Sequence, residues 1–199
     1  MGIQVNVWQN RLIGPYLDFV PLVLKGAAMT TVTGAFFLGG AQLVFLPHPA
    51  GYPVQGILVS GSQYAGSGDA PDVVALDAPP GFSGLQDVTI TGALSDSPTM
   101  PRRSTVCSLT QAAAPPPWVF DFSGCLAFNA SRPATAIQTI SVAAVRTDLA
   151  GPPFVALADA AEGARVTVRA FPAGAGAGLP AHATVTCTVD QSTRPRGGT

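Results

Sequence analysis

Apolar and polar residues alternate with a period of two over most of the chain, the spacing of half-buried β-strands. Ile3, Val5 and Val7 alternate with Gln4 and Asn6, and Val88 and Ile90 with Thr89 and Thr91. Val166 and Val168 alternate with Thr167 and Arg169, and Val185, Cys187 and Val189 with Thr184, Thr186, Thr188 and Asp190. Further strands are predicted at 16–25 (interrupted by Pro21), 54–60, 73–76, 104–110, 118–122, 126–129, 137–146 and 154–157. The one helical candidate is short, at 156–161.

Dense turn signals separate these runs: Pro47-His48-Pro49, Pro79-Pro80-Gly81, Pro115 to Pro117, Pro152-Pro153 and the AGAGAG run from Ala173 to Gly178. Many short strands with such punctuation predict an all-β fold. The expected form is an antiparallel β-sandwich or jelly-roll-like barrel with long Gly/Pro-rich loops and little helix. No repeat of 20–50 residues is evident, which weighs against a propeller or solenoid. The 199 residues are read as a single β-rich domain, with short extended arms at the N-terminus and at 192–199. Residues 27–46 are apolar enough to suggest a membrane helix. The Thr residues and the Gly39-Gly40 pair between two β-rich arms instead predict a hairpin.

Charge changes the picture more than overall hydrophobicity does. Only 11% of residues are charged, with a net charge of -1, against about 25% in an average chain. Lys25 and Glu162 are the sole Lys and Glu. A near-neutral chain lacks the basic field of a nucleic-acid binder, so no direct nucleic-acid partner is expected. A surface this poor in ions is weakly protected against association. The simplest reading is that other subunits cover much of it. The run from Gly26 to Gly68, which carries no Asp, Glu, Lys or Arg, should therefore lie in the core or at contacts. The opening residues lack the basic and apolar regions of a secretory signal, so the expected location is a virion assembled in a host cytoplasm.

No residue pattern specifies a chemistry. Cys107, Cys125 and Cys187 form no C-x-x-C pair; Cys187 reads as a small core residue. Cys107 and Cys125 flank the triple proline and are near enough in sequence to bridge, although an odd count without a signal favours reduced thiols. His48 and His182 show no zinc-site spacing. Ser60-Gly61-Ser62 and Gly81-Phe82-Ser83-Gly84 do not match a nucleophile elbow. Asp69, Asp72 and Asp77 lack the alternating spacing of a calcium loop and read as turn residues. A glycosidase needs two opposed carboxylates, and the sequence singles out no pair among its Asp residues. No catalytic residue, cofactor or metal is assigned.

Interface residues are easier to nominate. Trp8, Tyr52 and Tyr64 are candidate exposed aromatics, the last two because they sit among Gly, Pro and Ser. Arg102, Arg103, Arg194 and Arg196 form small basic clusters suited to protein contact. The function predicted is a non-enzymatic structural subunit of a virus or bacteriophage particle, with itself and other particle subunits as partners and a membrane role disfavoured. The alternative is a β-sandwich module that binds a glycan or protein ligand through loop aromatics.

Overall fold

A computed structural model of the chain describes residues 2–65, 73–79, 82, 84–91, 94–95, 103–112, 116–128, 136–146, 154–174 and 183–192. Every element in them is β. The first part is a stack of four coils, each built from short strands that turn two corners. The first coil is β1 (Ile3–Trp8), β2 (Arg11–Ile13) and β3 (Tyr16–Asp18); the second is β4 (Leu22–Thr33) and β5 (Phe36–Leu38). The third is β6 (Leu43–Leu46), β7 (Val54–Ser60) and β8 (Gln63–Ala65), and the fourth β9 (Val74–Leu76), β10 (Leu85–Thr91) and β11 (Leu94–Ser95). Each strand pairs in parallel with the equivalent strand of the next coil.

Inward side chains stack in columns. Val5, Leu24 and Phe45 share one register position, Thr30, Ile57 and Val88 another, and Leu17, Phe37 and Tyr64 a third. Together with Leu22, Leu43, Val59 and Ile90 the apolar ones form one buried core, and Thr30 is buried beside them. Alternate residues of the uncharged run from Gly26 onward supply this interior, and those between them are half-buried or exposed.

The corners explain how the coils stay aligned. Gln9, Met29, Gly56 and Asp87 follow directly after register-matched residues, and all four have positive φ, between 49° and 61°. The next corner stacks Gly14, Gly34 and Gly61, with φ of 60–65°. Left-handed backbone is cheapest for Gly and turns a strand without a long loop.

After residue 103 the pairing becomes antiparallel. β12 (Val106–Ala112), β17 (Ala183–Asp190) and β14 (Thr139–Arg146) form one three-stranded sheet; β13 (Trp118–Asp121), β16 (Arg165–Pro172) and β15 (Phe154–Glu162) form another. Their inward faces share a second core of Trp118, Phe120, Val166, Val168, Val185, Cys187 and Val189. Cys107 and Cys125 are joined by a disulfide, with their Cα atoms 6.2 Å apart.

Several expectations need correction. Antiparallel pairing is confined to the second part, and the first part is a parallel solenoid, the architecture that the missing repeat had weighed against. Its repeat is hidden because the corner glycines lie 20 and 27 residues apart, the extra residues lying in the connections outside the strands. Gly39-Gly40 is a corner and not a hairpin turn, since β5 and β6 belong to different sheets. The stretch at 156–161 lies within β15, where Val166 and Val168 of β16 face Ala161 and Ala158; cross-strand packing overrides the helix propensity of alanine. Pro21 ends the expected strand at 16–25, giving β3 and the start of β4. Leu126 makes an isolated bridge to Ser104 instead of starting a strand. No described helix is long and apolar enough to cross a membrane.

Candidate functional site

Among the described residues, the outer surface of the coil stack carries a shallow depression bordered by aromatic side chains. It is lined by Trp8, Gly26, Ala28, Tyr52, Pro53 and Gln55. Trp8 ends β1, and its register partner is Ala28 of β4, which in turn faces Gln55 of β7. Three successive coils thus supply the floor. Tyr52 comes from the connection between β6 and β7, which folds back over the stack.

That connection is held by specific contacts. Gly51 N–H donates to the His48 carbonyl at 2.8 Å, and Ala50 N–H donates to His48 Nδ1 at 3.1 Å. The His48 ring lies 5.1 Å from the Tyr52 ring, tilted by 44°. His48 itself rests on Gly26, where a Cβ would collide with it, and Gly26 has φ of 54°. Glycine is required there twice over, by backbone conformation and by close approach. The result is two large aromatic side chains, Trp8 60% and Tyr52 59% exposed, beside one small depression. The depression is shallow: it offers about 30 Å³, well below the volume of an enclosing ligand cleft, so a ligand would rest on it and not inside it.

The chemistry offered by the lining is aromatic faces and the Gln55 amide. Among the described residues no carboxylate lines the cleft. Among the described residues no three His, Cys, Asp or Glu side chains group together.

The sequence-nominated residues fare differently. Trp8 and Tyr52 come together here. Tyr64 is a correction: it is buried, its ring stacked on Phe37 with centroids 4.5 Å apart. As the middle residue of the three-residue strand β8 it points inward, and the neighbouring Gly and Ser form the corner before it. Burial raises its phenol pKa well above the ordinary value. Arg103 is turned into the protein and donates through Nη1 to the Ser123 and Leu126 carbonyls, at 2.6 and 3.1 Å. Arg102, Arg194 and Arg196 lie outside the described residues, as do His182, Asp69, Asp72, Ser83 and the tail from 193. Sequence reasoning missed Gln55, Pro53 and Gly26; the corner repeat, had it been read, would have aligned β1, β4 and β7 and placed them beside Trp8.

The fold and cleft define an all-β chain with a parallel coil stack and an aromatic surface site. No family model matches it. Over 69 residues it is 35% identical to "Polygalacturonase QRT3" of Arabidopsis thaliana, a match that covers 35% of this chain and 14% of that protein. The chain thus spans a small fraction of that curated relative. Among solved structures, the Dettilon tailspike protein (gp208) aligns with 94% of this chain and 45% of its own, at 12% identity and a TM-score of 0.29. A likeness that distant carries no argument about role.

Proposed function

We propose that this chain is a glycan-binding solenoid module that seats a sugar ring of a polysaccharide on the Trp8–Tyr52 cleft, without cleaving it. The carrying observation is that two exposed aromatics from different coils line one neutral depression. Aromatic faces complement the C–H faces of a pyranose, while the Gln55 amide offers hydrogen bonds to its hydroxyls. The polygalacturonase match supports a galacturonan as the first ligand to try.

Trp118 is buried, so Trp8 is the tryptophan open to ligand. Titration with oligogalacturonides and with neutral oligosaccharides should shift its fluorescence. Trp8→Ala, followed calorimetrically, and Tyr52→Ala should each weaken binding about tenfold or more. Failure of every glycan to bind, or variants that bind like the parent, removes the reading. New reducing ends in the same samples would make the protein a hydrolase.

A second reading, a subunit of a virus or bacteriophage particle, is favoured by a separate feature, the open edge of the first coil, where copies of the chain would meet.

A further inference from the structure

The two ends of the coil stack differ. At the far end β10 is covered by the protein's own chain: Ser104 Oγ and Thr105 N–H donate to the Ile90 carbonyl at 2.9 and 3.0 Å, and Thr105 Oγ1 accepts from Ile90 N–H at 3.1 Å. Phe128 sits edge-on to Phe45 at 5.3 Å and, with Ala127, joins the coil core. At the near end β2 and β3 pair only with β4 and β5, among the described residues. A strand edge of this kind leaves backbone N–H and C=O groups directed along the stack, a template for another strand. The edge is short, three residues in each strand with Pro15 between them, and its two charges, Arg11 and Asp18, are of opposite sign, so a second copy can pair them where another strand would meet an unpaired charge.

The side chains bordering this edge are self-complementary. Arg11 and Ile13 of β2, and Tyr16 and Asp18 of β3, are all exposed, Ile13 to 70% and Tyr16 to 61%. Tyr16 stacks on Phe36 of the next coil with centroids 5.4 Å apart, continuing the coil-to-coil contact of the interior. The coil also keeps the positive-φ corners of the inner coils, at Gln9 and Gly14. It is therefore built to be stacked upon. A second copy stacking head to tail would have to displace the Ser104–Thr105 cover of β10. Head to head, a two-fold axis perpendicular to the stack reverses strand direction, so β2 of one copy runs antiparallel to β3 of the other. With the axis at the Gly14–Pro15 corner, Arg11 faces Asp18 of the partner subunit and Ile13 faces Tyr16 of the partner subunit, each pair occurring twice. The one cation and one anion on these strands satisfy each other.

We propose that two copies of this chain join head to head through the open edge of the first coil, with reciprocal Arg11–Asp18 pairs. Sedimentation velocity of the full chain over a concentration series should show a species of twice the 20.2 kDa chain mass. Arg11→Asp or Asp18→Arg alone places like charges opposite each other twice and should raise the dimer dissociation constant about tenfold or more. The double variant Arg11→Asp/Asp18→Arg restores the pairing and should recover the dimer. Tyr16→Ser, which leaves charge unchanged, should also weaken it. Circular dichroism shows that each variant is folded. A monomer at every concentration, open-ended oligomers, or a double variant as weak as the single ones overturns the proposal.

Discussion

At the scale of single residues, burial decides chemistry. Cys187 packs on β17 between Val185 and Val189 in the second core, and burial pushes its thiol up to about 11. The neutral thiol is the favoured form in the folded protein. Its contribution to stability is whole below the ordinary thiol value and is lost as pH rises through about 11. The native protein should therefore leave Cys187 unreacted by thiol reagents at pH 8, with modification appearing only as the chain unfolds; rapid native labelling would contradict this packing. Asp121 moves the other way. Its bonds to Ser123, and then to Arg165, hold its carboxyl down at about 2. The core role of Cys187 was legible from its alternating strand. The burial of Tyr64 was not, because its Gly/Ser surroundings signal a turn and say nothing about which way the following strand points.

At the scale of elements, the corners carry the fold. A Cβ at Gly34 would meet nothing within 4 Å, yet φ there is 65°. Gly34→Ala tests the backbone alone and should cost about 1 kcal/mol in denaturant unfolding. Gly26→Ala adds a collision with His48, so it should cost more and should also weaken glycan binding, which Gly34→Ala leaves intact. Equal losses, or no change in binding, would separate the corner from the cleft. Strand positions were readable from alternation: residues 54–60 emerged as β7 and 137–146 nearly as β14. Pairing direction was not. Period two is common to parallel and antiparallel strands, and the signals that distinguish them here are isolated glycines at unequal spacing.

At the scale of the whole molecule, two cores meet at a narrow seam. Phe128 packs in the coil core, while its backbone N–H and carbonyl bond to the Gln191 side chain at 3.2 and 3.0 Å. Gln191 in turn follows β17 of the second core, and its N–H donates to Thr105 at 2.7 Å. Phe128→Ala should lower stability by about 3 kcal/mol. In a Trp8→Phe background, Trp118 then reports the C-terminal sheets alone, and their transition should part from that of the overall strand signal. A single coincident transition would place the coupling elsewhere. The low charge of the sequence pointed to covered surface; the coil core takes alternate residues of the uncharged run, and the outward ones remain half-buried or exposed. The same stack has a consequence for variation. In a hairpin, one inserted residue reverses which side chains face inward; here alignment is set at the corners, and the segment between Leu46 and Val54 lies outside the wound strands. A change of length there leaves the inward face of every strand where it was, so long as His48 still reaches its seat on Gly26; the spindle beneath sets no other limit on the thread wound over it.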